Sequence, residues 1–390
     1  MRTQTTITNL SAFLAAALLA TACSEPTGTA PRSSTDAAPR APAFATTAAT
    51  STGIAIDQFI GTLNEGGGPL LIKGFNNGNP HHGDALVATF FWLGSTDVID
   101  SVADVLTTGG AYTPVGNKYT RVEFVTSGGI SMATYVATNI QGYPDPFLTS
   151  SDVLAVAAYL KQPVLDGGVL LTAWSGVNAV SADALGAHSQ GSGSGSGTTI
   201  ADPGPITVGD GALAYAVTMS DGLVPREPPG PPFTNLTVLS DASILGEVDY
   251  AVHSGVGTVD PVITWYFNSP STWLTNTIVL NPPLHLGFSA QPRTTMPLLT
   301  MPPVQVTVLN ALGTQATTFN GQVTIAMGHN GSVNPLMAGT LSGTTTVNAV
   351  NGVATFSNLS IDQPGNGYTL VVSGLRLTDA ESAPFNIGPF

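Results

Sequence analysis

The 390-residue chain contains a single cysteine, Cys23, and so can form no disulfide within itself. Basic residues are scarce as well: ten Lys and Arg stand against 24 Asp and Glu, and a net charge of −14 repels a phosphate backbone instead of releasing its counterions. Nucleic acid is therefore excluded as a partner. Charged residues of both signs reach only 9%, where soluble domains average about 25%, and 43% of the chain is hydrophobic, which excludes a charge-rich disordered polymer. No segment sustains a 3.6-residue apolar period, and no G-x-x-x-x-G-K-[ST] loop occurs, so neither a helical bundle nor a nucleotide cradle has support. Abundant instead are the residues that make turns, 44 Gly and 29 Pro, which point to many short strands. At roughly 150 residues per domain the length accommodates two or three folded units.

Residues 1–22 read as an export signal, with Arg2 near the start, the apolar run Leu10–Ala20 and the small-residue end Ala20-Thr21-Ala22. The run is too short for a spanning helix. Cys23 follows at once, and the stretch LLATAC resembles the lipobox of bacterial lipoproteins, except that Ala20 stands where that family usually has Leu and Leu19 lies one place earlier. The resemblance implies acylation of Cys23, membrane lipid as its partner, and, because Ser24 follows, transfer to an outer membrane. One acyl chain holds a bilayer only marginally, whereas two or more anchor stably. The rest of residues 23–51, rich in Ala, Thr, Ser and Pro, reads as a flexible tether with a span on the order of 30 Å.

Residues 52–281 carry apolar runs bounded by Gly, Asn, Asp and Pro, among them Ala85–Trp92, Met132–Ile140, Val153–Leu160, Val169–Trp174 and Ala212–Met219. Eight or more such strands predict a jelly-roll-like antiparallel β-sandwich. The segment Thr96–Leu106 suits a short helix or a strand. Gly191–Thr199 (GSGSGSGTT) reads as a flexible loop and Pro225–Pro232 as a stiff one, both at the sandwich edge. The motifs GDALVATFFW, DGGVLLTAWSG and ALAYAVTMSDG resemble an uncharacterised β-sandwich region of secreted bacterial proteins, which implies no particular activity.

In residues 284–390, Val304-Gln305-Val306-Thr307-Val308 alternates as a half-buried strand, and Asn351-Gly352 predicts a hairpin with a type I′ turn. The run from Gly339 to Asp362, with NGYTLVVSG and APFNI, resembles bacterial immunoglobulin-like repeats of surface proteins. That resemblance implies an immunoglobulin-like β-sandwich acting as a spacer or adhesive module.

Candidate chemistry is sparse. His81-His82-Gly83-Asp84 is the densest set of metal-ligand types, but neighbouring residues on a strand point to opposite faces and no fourth ligand is evident nearby. Glu247 and Asp249 share one face of a strand at a spacing that suits a retaining glycosidase pair, yet the expected reading is a solvent-facing acidic edge. Ser175, in Ala173-Trp174-Ser175-Gly176, lacks the first glycine of a nucleophile elbow. Asp145, Asp152, Asp166, Asp202, Asp210 and Asp221 sit in loops where calcium binding competes with simple backbone capping. Trp92, Trp174, Trp265 and Trp273, with Tyr266 and Phe267, offer a sugar platform only if several face outward; core packing is the expectation. No catalytic, cofactor-binding or metal-ligating residue is assigned. The expected protein is a non-enzymatic cell-envelope lipoprotein acting in adhesion or surface scaffolding toward a glycan or protein partner. A carbohydrate-binding or carbohydrate-active protein built on the first sandwich is the alternative. Mass spectrometry of the mature N-terminus is expected to find a multiply acylated Cys23, and an unmodified thiol would end the anchoring expectation.

Overall fold

The computed structural model describes residues 53–63, 66–108, 111–145, 152–223, 226–334 and 336–388, so the segments read as an export signal and a tether, with Cys23, lie outside the described residues. In chain order the first region holds β1 Ala55–Leu63, β2 Leu70–Gly74, β3 Ala85–Leu93, β4 Ile99–Thr108, β5 Ala111–Pro114, β6 Thr120–Ser127, β7 Ile130–Ala137, β8 Val153–Leu160 and β9 Gly167–Ser175. One helical turn, Ser181–Ala184, precedes β10 Leu185–Ala201, β11 Ile206–Val208, β12 Leu213–Ser220, β13 Arg226–Glu227, β14 Thr234–Ser240, β15 Leu245–Val252, β16 Gly257–Val259 and β17 Ile263–Leu280. The all-β antiparallel sandwich expected from the turn-rich sequence is what these strands build. The segment left open between helix and strand is strand, as β4.

The stack has three sheets. A central sheet runs β1-β9-β3-β7-β6, a second β2-β8-β4-β5, and a third β10-β17-β12-β15-β14 with β13 alongside β17. The reason is written in β3, whose sequence ALVATFFWL has no polar face. Ala85, Val87 and Phe91 pack in one core with Leu213, Tyr215 and Val217 of β12. The intervening Leu86, Ala88, Phe90 and Trp92 pack in another with Leu154, Val156 and Ala158 of β8. Successive side chains of a strand point to opposite faces, so a strand apolar at every position but Thr89 needs a cover on both sides.

The glycine-serine segment is not a loop. It lies in the 17-residue strand β10, paired with β17 from Leu185↔Leu280 to Ala201↔Ile263. Gly191, Gly193 and Gly195 are half-buried while Ser192, Ser194 and Ser196 are exposed, a strict period of two. A Cβ on Gly193 would come within 2.7 Å of the Trp273 ring, so the absent side chain makes room for the indole of the paired strand. Composition masked this alternation.

The second region follows with β18 His285–Ala290, β19 Val304–Leu309, β20 Gln322–Met327, β21 Leu341–Ser342, β22 Thr346–Asn348, β23 Val353–Phe356, β24 Ser360–Ile361, β25 Gly365–Tyr368, β26 Leu370–Gly374, β27 Ala380–Glu381 and β28 Phe385–Ile387. Sheets β18-β19-β23 and β22-β20-β26-β27 face each other across a core that joins Val304, Val306 and Phe356 to Val323, Ile325 and Val372. Asn351 and Gly352 take positive φ, 50° and 80°, and Val350 and Val353 exchange both backbone hydrogen bonds, as a type I′ turn requires. The arms of that turn nonetheless enter different sheets, β22 pairing with β20 and β23 with β19. Local chemistry set the reversal of the chain but not the partner of each arm.

Phe91→Ala is expected to lower unfolding stability by about 3–5 kcal/mol, because the ring is fully enclosed. Leu165→Ala, at a side chain 92% exposed, should stay within about 0.5 kcal/mol. Urea unfolding followed by tryptophan fluorescence measures both.

Candidate functional site

Two clusters of ionisable groups stand out, and the first begins at an irregularity in β1. Ile56 pairs with Trp174 and Gln58 with Ala173, the next residue along β9, so Asp57 is an extra residue in a β-bulge. Bulges turn a side chain out of the regular pleat. Here Asp57 meets the turn that leads into β3: His81 Nδ1 lies 2.9 Å from Asp57 Oδ2, and the His81 backbone N–H donates to Asp84 Oδ2 at 2.9 Å. One ligand atom from each of Asp57, His81 and Asp84 falls within 4.8 Å of the other two. The His81 side chain is 59% exposed, while Asp84 is buried. Burial pushes the Asp84 carboxyl up to about 7, and the neighbouring Asp57 carboxyl adds to the rise. The hydrogen bond to Asp57 raises His81 above its ordinary value.

The turn is held from outside the cluster. Fully buried Asn79 donates through Nδ2 to the backbone oxygens of Pro144 and Asp152 at 2.8 and 2.9 Å, and its Oδ1 accepts from Leu154 N–H at 2.9 Å. Its own backbone N–H donates to Asp145 Oδ1. Ile140 N–H donates to the Asp84 carbonyl at 3.0 Å. Of the sequence candidates, His81 and Asp84 thus come together, whereas the His82 ring engages the Ile140 carbonyl instead. Asp57 escaped the sequence reading because it lies 24 residues before His81 and is aimed by a bulge that no motif announces.

The second cluster is on β15. Glu247 and Asp249 are fully buried, not a solvent-facing edge. They alternate with Val248, which faces the core shared with the central sheet, so the carboxylates lie on the outer side of the third sheet. Arg226 from β13 pairs with Glu247 through Nε and Oε2. Asn235 of β14 donates through Nδ2 to Glu247 Oε1 at 2.7 Å and to Asp249 Oδ1 at 3.0 Å. Among the described residues, Asp249 Oδ2 has no hydrogen-bond partner. Burial, reinforced by the Glu247 charge, raises Asp249 to about 7. One guanidinium cannot neutralise two adjoining buried carboxylates, which is why the Glu247 charge adds to the rise at Asp249. Sealed in this way, the two carboxylates hold strands together and present no face to a sugar.

Several of the remaining candidates make structural contacts. Ser175 Oγ donates to the Ala55 carbonyl at the end of β9. Asp166, Asp202, Asp210 and Asp221 each accept a backbone N–H, from Gly167, Gly204, Gly255 and Thr272, as does Asp145 from Asn79. Trp92, Trp174, Trp265 and Trp273 are all buried, so none contributes to an outward platform. Among the described residues, a cleft between the start of β10 and the turn at residues 310–318 is lined by one ionisable side chain, Asp183. Among the described residues, no helix is long and apolar enough to cross a membrane. No family model and no curated protein matches the chain.

Native Asp249 keeps a proton that the unfolded chain loses near pH 4, so its contribution to stability is full below about pH 4 and is lost as the pH rises toward about 7. Asp249→Asn is therefore expected to flatten the decline in melting temperature between pH 4 and pH 8, read by circular dichroism. A variant with the slope of the parent would show that Asp249 is ionised throughout.

Proposed function

We propose that the chain is a non-enzymatic cell-envelope lipoprotein, anchored through Cys23 and acting in adhesion or surface scaffolding, with an immunoglobulin-like sandwich at residues 284–390. The observation that carries this reading is the fate of its reactive and aromatic groups. Glu247 and Asp249, the nearest approach to a catalytic carboxylate pair, are enclosed and engaged by Arg226 and Asn235, and the four tryptophans fill cores. What the first region turns outward along its longest edge strand is an uncharged, hydroxyl-rich row, Ser192, Ser194, Ser196 and Thr198. An edge strand of that length suits hydrogen-bonded contact with a glycan or a protein strand. Arrays of extended sandwiches on a tether are suited to reach and contact.

The reading is tested on cells that display the full chain. Deleting the protein is expected to reduce attachment to the surface it recognises, and a Cys23→Ser variant, shed from the envelope, should reproduce the loss. Attachment equal to that of the parent in both strains would overturn adhesion, and release of reducing sugar by the purified protein would overturn the non-enzymatic part.

A further inference from the structure

We propose that Asp57, His81 and Asp84 bind a divalent transition-metal cation, Zn²⁺ being the best match, which clamps strand β1 to the turn entering β3. The donor set is one imidazole nitrogen and two carboxylate oxygens, drawn from two separate stretches of chain. Zn²⁺ takes such mixed N/O sets at bond lengths of about 2.0–2.2 Å, which at tetrahedral angles place donor atoms roughly 3.3 Å apart. His81 Nδ1 and Asp57 Oδ2 already lie at 2.9 Å, and no pair of the three donor atoms exceeds 4.8 Å, so modest side-chain adjustment closes the site. Ca²⁺ prefers six to eight oxygens, and an imidazole ligand selects against it.

Charge argues in the same direction. Asp84 is 4% exposed and adjoins a second carboxylate, an arrangement that the half-solvated His81 ring balances only in part. A dication balances both carboxylates at once. The exposed side of His81 leaves the fourth position to water, the pattern of a site with three protein ligands. The ligands are also positioned by contacts that owe nothing to an ion: the β1 bulge aims Asp57, while buried Asn79 and the Ile140–Asp84 backbone bond fix the turn. Among the described residues, β1 is an edge strand whose sheet pairing is with β9 alone, so a cation joining Asp57 to His81 and Asp84 adds to its attachment.

The chain stripped with EDTA and titrated with Zn²⁺ by calorimetry is expected to bind one ion per molecule, with a higher melting temperature in the bound form. Co²⁺ in its place should give the visible absorption of a nitrogen- and oxygen-ligated tetrahedral ion. His81→Ala, at an exposed position where folding is not at risk, and Asp57→Asn are each expected to weaken Zn²⁺ at least about tenfold. His82→Ala, whose ring is held by the Ile140 carbonyl, should leave affinity unchanged. The proposal is overturned if Zn²⁺ does not bind, if His81→Ala binds as the parent does, if His82→Ala is the variant that loses the ion, or if Ca²⁺ displaces Zn²⁺ at equal concentration.

Discussion

Burial of the central sheet on both faces is the constraint from which the first region follows. β3, β7 and β9 are apolar at nearly every position, and each face of these strands has to be removed from water. One covering sheet satisfies only half of them. The few polar residues in those strands are placed accordingly: Thr89, Thr134 and Thr172 are fully buried on the face toward the third sheet. Thr89 and Thr134 hydroxyls meet at 3.2 Å, the Trp174 indole donates to Thr172 at 2.8 Å, and Asn276 of β17 donates across the layers to Thr134 at 3.1 Å. A buried hydroxyl left alone costs about 1–3 kcal/mol, so this row disfavours any slip of one sheet over the other.

The same constraint sorts the ionisable groups. Where β13 and β14 of the third sheet bring Arg226 and Asn235 to β15, Glu247 and Asp249 lose contact with water and become part of the packing. Where the stack ends, at the bulged edge strand β1, Asp57 and His81 keep access to solvent while Asp84 is drawn inward. The two clusters hold similar residues and differ in accessibility. A cation can reach the second kind of site and not the first.

Legibility in the sequence followed the range of the interaction. The strands of the middle layer were readable because apolar runs of eight or nine residues between turn formers leave few alternatives. The Asn351-Gly352 turn was readable because two positive φ angles restrict the residues that fit. β10 was not, since glycine and serine carry no hydrophobic signal and the alternation becomes meaningful only when Trp273 occupies the space above Gly193. The Glu247–Asp249 pair shares one face as strand alternation predicts, but its burial is not legible, because the residues that enclose it, Arg226 and Asn235, come from strands that neighbour it only in space.

The sequence by itself determined an all-β antiparallel chain, the apolar strands of its middle layer and the reversal at Asn351-Gly352, since these depend on side chains within a few positions of one another. The tertiary structure alone decided that three sheets stack, that the two arms of that turn part company, and that Asp57 meets His81 and Asp84. Such contacts join residues tens to more than a hundred positions apart, and their geometry exists only after distant strands have paired and a bulge has turned one side chain out of its row.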